Sequence, residues 1–203
     1  MALSPYALIG IETLKLALGI DPSNTTEDAD LEYLVNMATM RVEQDAHRPL
    51  RWRDAYVRHF DGTGQPDLLL PLYPITAVTA IRISGGDPLG VFLVDVDIDP
   101  VDGWSVAVYA RSGRAHYAAG WPQGVANIRA EWAGGYGQPQ GDPIPEDLQE
   151  ATVLQAADGY QTRKTGGWNT MALALQGQTL TFSPDLLWRR YRSCLNPYRD
   201  IPL

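Results

Sequence analysis

The stretch NIRAEWAGGYGQPQGDPIPEDLQEA, residues 127–151, constrains the fold most, because the hydrophobic period changes inside it. Ile128, Ala130 and Trp132 alternate with Arg129 and Glu131, the period-two pattern of a half-buried strand. Gly134-Gly135-Tyr136-Gly137 then lets the chain leave the strand sharply, since glycine adopts backbone angles that a Cβ resists. Pro145 at a first helical turn gives up no needed hydrogen bond, and Glu146 and Asp147 complement a helix N-terminus. A strand must become a helix here, which points to an α+β chain.

The same change of period occurs earlier, in the opposite direction. Leu14, Ala17 and Leu18 share one face of a short helix over 11–18 that Gly19 ends. Thr25 and Asp28 have capping-box spacing at the start of a second helix over 27–46. Its apolar stripe is Leu31, Leu34, Val35, Ala38 and Val42, with Glu32, Arg41, Glu43 and Asp45 outside it. From residue 50 to 133 the period is two. Strands are expected at 55–60, 67–70, 76–83, 91–98, 105–110 and 127–133, with turns at Asp61-Gly62, Gly85-Gly86 and Asp102-Gly103. A third helix is expected over 146–163, weakened by Gly159, which costs roughly 1 kcal/mol relative to alanine. Residues 170–182 alternate around Gly177 as a hairpin or arm. Ser183 and Pro184 then open a last short helix with Leu187, Tyr191, Cys194 and Leu195 on one side, which Asn196-Pro197 stops. The body is therefore expected over 1–163 and a C-terminal hairpin or arm with its helix over 164–203.

Composition narrows the function. At 203 residues, 45% apolar and 20% charged, the chain can bury a core of ordinary size. Its net charge of −8 works against nonspecific binding of duplex DNA over the whole surface. The lone Cys194 excludes an internal disulfide and a cysteine-based zinc site. The start MALSPYALIG lacks the pattern of a signal peptide, and no apolar run reaches the roughly 18 residues of a membrane span. A cytosol-made protein without a membrane role is the expectation.

No constellation carries catalysis. Asp95, Asp97, Asp99 and Asp102-Gly103 echo a calcium loop, but Pro100 and Val106 stand where the loop needs glycine and glutamate. His47, His59 and His116 fall in separate elements without metal-ligand spacing. His59 has no nucleophile elbow near it, and the glycine-rich turns lack the Lys-Ser/Thr of a phosphate loop. No enzyme, metal or cofactor is expected. Two basic clusters remain, Arg48, Arg51, Arg53 and Arg58, and Arg189, Arg190, Arg192 and Arg199. Each is a solvated face or a dock for an acidic partner, for which arginine's planar fork suits carboxylates. Trp188, Tyr191 and Tyr198 interleave with the second cluster, which also admits nucleic-acid contact.

In order, "LGI" after the first helix, LEYLVNMATMRVEQDAHRPL (31–50), YVRHFDGTG, LLLPLYPITAVTAIRIS (68–84), the glycine-tyrosine corner, Pro-Glu-Asp-Leu and a final "NPYR" resemble one family. It is the head-tail connector, or head-completion adaptor, family of tailed bacteriophages and phage-derived particles such as gene transfer agents. The resemblance covers about residues 9–160 and, more weakly, 184–200. It implies a small helical core of two longer helices plus short terminal ones, an inserted antiparallel β-block and an extended C-terminal arm. The implied role is structural: a ring, usually of twelve copies, under the portal protein, bridging it to a neck stopper or tail-completion protein. DNA would cross the ring only as transiting cargo, in a virion assembled in the bacterial cytoplasm.

Carried onto this chain, the resemblance makes Trp188, Arg189, Arg190, Arg192, Tyr198 and Arg199 the portal-docking residues. Leu31, Leu34, Arg41, Asp45, Glu146 and Asp147 become ring-interface residues. A neck stopper or tail terminator is the alternative within the particle, favoured by mostly-β content without a two-helix core. A small carbohydrate-binding β domain is the alternative outside it, since six tryptophans and ten tyrosines could line a sugar site.

Overall fold

The computed structural model describes residues 2–84, 91–94, 106–139, 143–164 and 184–199. They form an α+β fold of four α-helices and two small antiparallel sheets among the described residues. The chain divides into a helical unit, residues 1–48 and 144–203, and a β unit, residues 49–143.

In the helical unit, α1 (Ile11–Leu18) ends at Gly19, whose φ of 69° is the left-handed cap glycine favours. Leu14 is fully buried and Leu18 half-buried, but Ala17 is exposed and Lys15, beside Leu14, is buried. Lys15 is accepted there because Nζ meets Asp28 Oδ1 at 2.7 Å and donates to Pro22 O at 3.2 Å. Helix α2 (Asp28–Ala46) buries every residue of the expected stripe, and Thr39 and Ala46 as well. Its expected capping box is absent. Glu27 is the N-cap and makes no side-chain cap bond, while Asp28 spends its carboxylate on Lys15.

Helix α3 (Glu146–Lys164) runs antiparallel to α2, since Lys164 and Tyr160 reach Glu27 at the other helix's start. It does not fray at Gly159. A Cβ there would stand 3.0 Å from Leu34 Cδ2, so the glycine lets the two helices close on each other. Tyr160 and Lys164 fasten the turn beyond it. Helix α4 (Pro184–Leu195) packs on α3 and α2, with Tyr191, Cys194 and Leu195 buried, and runs into a 3-10 turn at Asn196–Tyr198.

The β unit holds a sheet in the order β1 (Arg53–Gly62), β7 (Gly124–Gly134), β3 (Ile75–Ser84), β4 (Val91–Val94). A second sheet orders β2 (Asp67–Leu69), β6 (Arg114–Tyr117), β5 (Val106–Tyr109). Their inner faces share one core in which Ile81, Ile128, Ala130 and Trp132 meet Leu68, Val106, Ala115 and Tyr117. Trp132 is the pivot. Its ring meets Tyr56 edge-on at 5.0 Å and its Nε1 donates to Leu72 O at 2.8 Å.

Strand β6 was not expected from sequence. Only four residues long and reading Arg-Ala-His-Tyr, it carries just Ala115 and Tyr117 inward. Asp61-Gly62 is not a turn but the end of β1. Asp61 Oδ1 accepts from Ala126 N at 2.6 Å, and Gly62 N donates to Asn127 Oδ1 at 2.8 Å. The glycine corner after β7 is as the sequence suggests. Gly135 has φ 97°, and a Cβ on it would come 2.8 Å from the Arg51 and Trp52 backbone. Residues 95–98 of the fourth expected strand, the turns at Gly85-Gly86 and Asp102-Gly103, the aspartates from Asp95 to Asp102, the alternating segment 170–182 and the Ser183 cap lie outside the described residues.

Candidate partner-binding surface

The C-terminal helix divides its residues between anchoring and display. Tyr191 is the anchor. Its hydroxyl donates to Asp45 Oδ2 on α2 at 2.7 Å, and burial, then that hydrogen bond to a carboxylate, push the phenol well above its ordinary value. Asp45 organises the junction further. Arg41 Nε lies 3.5 Å from its Oδ2, and Arg199 Nε donates to its backbone oxygen at 3.1 Å. Buried Arg48 donates from Nε to Tyr198 O at 2.8 Å, so the last described residues are pinned to the end of α2. Burial first, and the nearby carboxylates of Glu150 and Asp147 after it, raise the Cys194 thiol.

The display face is cationic and aromatic. Trp188, 39% exposed, stacks on Tyr191 with centroids 5.5 Å apart, and the Arg192 guanidinium lies 4.7 Å above the Trp188 ring. Arg189 and Arg190 are exposed beside Leu187, and Arg190 pairs with Glu150 of α3. This stack holds a flat apolar plate and the Arg192 guanidinium in fixed positions, the layout of an anchor for an acidic protein surface. Among the six residues expected to dock, Trp188, Arg189, Arg190 and Arg192 share this helix. Tyr198 and Arg199 follow it and tie the last described residues to α2.

The residues expected at a ring interface separate by depth. Leu31 and Leu34 are 0% and 6% exposed and hold α2 in the helical core. Arg41, Glu146 and Asp147 are exposed, and Asp45 is half-buried under Arg41. Sequence reasoning missed Met37 and Met40, which stand out from α2 at 47% and 57% exposure, and Glu150. The methionines were detectable, since both lie off the stripe formed by Leu34, Val35, Ala38 and Val42. Glu150 gains meaning only once α4 lies against α3.

The three histidines fall in separate elements. His47 caps α2 at φ 59°, His59 is exposed on β1, and His116 hydrogen-bonds Asp67 through Nδ1 at 2.7 Å. No group of His, Cys, Asp and Glu able to hold a metal occurs among the described residues. Among the same residues no helix is long and apolar enough to cross a membrane.

The fold is shared with chains of gene transfer agent (GTA) particles. Over its whole length the chain is similar to a chain of the neck of an empty GTA particle computed with C6 symmetry, at TM-score 0.60 and 19% identity, covering 95% of that chain. It is equally similar to a chain of the virion of the native gene transfer agent particle, at TM-score 0.60 and 21% identity, covering 94% of it. A chain of the native GTA neck computed with C12 symmetry matches at TM-score 0.56 and 15% identity, with 96% covered. No protein-family profile and no curated protein sequence matches. At these identities the likeness is one of fold.

Proposed function

We propose that this chain is a structural, non-catalytic subunit of the neck of a tailed-phage-like particle, the head-tail adaptor that forms a ring beneath the portal. The observation that carries this reading is the fold match across 100% of the chain to chains of symmetric GTA necks. The antiparallel α2–α3 pair supports the adaptor over a mostly-β stopper or terminator. Copies related by a rotation axis meet through two different patches each, so every subunit needs a donor face and an acceptor face. Repetition around the ring turns modest contacts into tight assembly.

The α4 face docks the portal in this reading. The Trp188 plate supplies apolar contact, and Arg189, Arg190 and Arg192 pair with carboxylates of the portal surface. Arg41, Asp45, Glu146 and Asp147, carried on the ends of α2 and α3, stand at the ring interface, and DNA passes through the channel as cargo.

Electron microscopy of the purified chain mixed with portal vertices tests the reading. Added ring density beneath the portal is the expected result; bare portals at saturating chain would sink it. Because α4 also buries Tyr191, docking is better probed by Arg189→Glu with Arg192→Glu than by truncation. That pair should release the ring from the portal, with the largest loss at low salt, where exposed charges are least screened.

A further inference from the structure

The tip of the β unit, where β1 ends and β7 begins, is free of charge. Residues 62–66 (GTGQP) and 117–128 (YAAGWPQGVANI) hold no Asp, Glu, Lys, Arg or His, although 20% of the chain is charged. Backbone bonds bring the two segments together. Gly64 N donates to Trp121 O at 2.8 Å, Trp121 N to Gln65 O at 3.0 Å, and Tyr117 N to Pro66 O at 2.7 Å. Trp121, 1% exposed, roots the tip in the core of the β unit. Thr63, Gln65, Ala118 and Gln123 lie exposed around it. Depletion of charge over such a surface is the composition of an interface centre, not of a solvated rim.

Val125 stands out from this tip at 88% exposure, more than any other large apolar side chain among the described residues. The chain holds it there against a conformational cost. Its neighbour Ala126 has φ 50°, in the left-handed region where a Cβ crowds the following carbonyl. Such a residue persists only where its surroundings over-determine it. Here Ala126 N donates to Asp61 Oδ1 at 2.6 Å, and Asn127 Nδ2 donates to Pro122 O at 2.7 Å. Asn127 Oδ1 accepts from Gly62 N at 2.8 Å. A Cβ on Gly62 would stand 1.7 Å from Pro122 O, so only glycine lets the two segments press together. Burial of a valine in the chain's own core would explain such clamping, but Val125 is left in water. What is held rigid is a side chain presented outward, and a rigid loop loses less freedom on binding.

We propose that this tip docks an uncharged apolar pocket on the next protein of the neck, with Val125 as the inserted side chain. The proposal rests on the neck reading above, in which an adaptor needs a second docking face besides the one for the portal. The two faces differ in chemistry. Helix α4 sets arginines around an indole, whereas the tip carries no ion at all. Unlike chemistry lets each face refuse the other's partner. Duplex DNA is a poor occupant of the tip, because binding it takes cations that neutralise phosphates. A charged protein surface is equally poor, since its ions would lose water and gain no partner.

Tail joining by the full-length chain tests this. Filled heads and free tails come from a host in which the gene is deleted, and purified chain is added to them. Wild type should add ring density beneath the portal and restore joined particles, both counted by electron microscopy. Val125→Ser should form the same ring yet join about tenfold fewer tails, the scale of effect expected when a valine no longer leaves water. Val125→Ile should join tails as the wild type does. Circular dichroism and denaturation midpoints should coincide for all three, because the side chain is exposed. A serine variant that joins tails like the wild type would overturn the proposal. So would a serine variant that forms no ring, since the tip would then be a contact between copies or with the portal. Wild-type rings that restore no tails remove the second docking face and leave the ring standing. Wild type that adds neither ring nor tails removes the neck reading itself, an outcome distinct from the others.

Discussion

The two units of this chain are held together by different means. In the helical unit, polar ties fix one element to the next: Lys15 to Asp28, Tyr160 and Lys164 to Glu27, Tyr191 to Asp45, Arg190 to Glu150. The buried face of α3 is mostly small, Leu148, Ala151, Thr152 and Ala156, so shape alone leaves its register loosely specified. In the β unit the ties are rings and close backbone approaches. Tyr56, Phe60 and Trp132 cluster, Tyr117 lies 5.4 Å from Trp121, and Gly135 lets two backbone segments touch. Helices long enough to slide need directional contacts to choose one position. A two-sheet core filled by indoles has little freedom left to choose. The β unit should therefore respond to side-chain volume, and the helical unit to the loss of single polar partners.

The largest effect is expected where volume is removed from the β unit. Trp132→Ala deletes a fully buried indole, its edge-on contact with Tyr56 and its bond to Leu72 O. It should cost about 3–5 kcal/mol of stability, the usual price of such a cavity. Chemical denaturation read by near-ultraviolet circular dichroism measures it. A loss below about 1 kcal/mol would mean that the core is not organised around this ring, and the contrast between the units would fail on that side.

The polar side of the contrast is tested at the buried lysine. Asp28→Ala leaves the Lys15 ammonium buried with Pro22 O at 3.2 Å and the Glu12 carboxylate at 4.0 Å. Removing one partner of a buried pair costs about 3–5 kcal/mol. Because Asp28 is 27% exposed, water can partly replace it, and about 2 kcal/mol is the better expectation. Lys15→Met should cost less than Asp28→Ala, since it removes the charge together with the need for a partner. If the methionine variant were the weaker of the two, the pair would be a net stabiliser, and specificity of register would not be its main contribution.

These same residues show how far sequence reaches. The stripe from Leu31 to Val42 and the alternation from Ile128 to Trp132 are repeated patterns, and repetition is what a linear reading detects. The expectations that the structure displaces have in common that a distant residue decides them. Lys15 reads as a solvated helix residue until α2 brings Asp28 to it. Gly159 reads as a weak point until Leu34 arrives 3.0 Å from its missing Cβ. Strand β6 is too short to show a period, and pairing with β2 and β5 makes it a strand. For the candidate surface, the basic cluster of α4 was legible as composition. Which residues anchor and which face outward was not, because that follows from where Asp45 and Glu150 stand in the folded unit.

The smallest effect expected is also the most specific. Tyr191→Phe keeps the ring in the core and deletes only the hydrogen bond to Asp45, a loss of about 1–2 kcal/mol for a bond to a charged acceptor. Its pH dependence separates it from ordinary loosening. In the folded chain the Tyr191 phenol is held above the value of about 10 that it takes when unfolded. A group whose folded value is raised contributes stability that is complete below the unfolded value and fades as pH rises from there toward the folded one. The wild type should therefore lose stability above about pH 10 through this group, and the phenylalanine variant should lack that part of the decline. Denaturation midpoints between pH 8 and pH 11 measure the difference. Parallel profiles for the two chains would mean that the hydroxyl is neither buried nor held by Asp45. Divergent profiles would show the phenol held neutral in the folded helical unit, by burial first and by the bond to Asp45 after it.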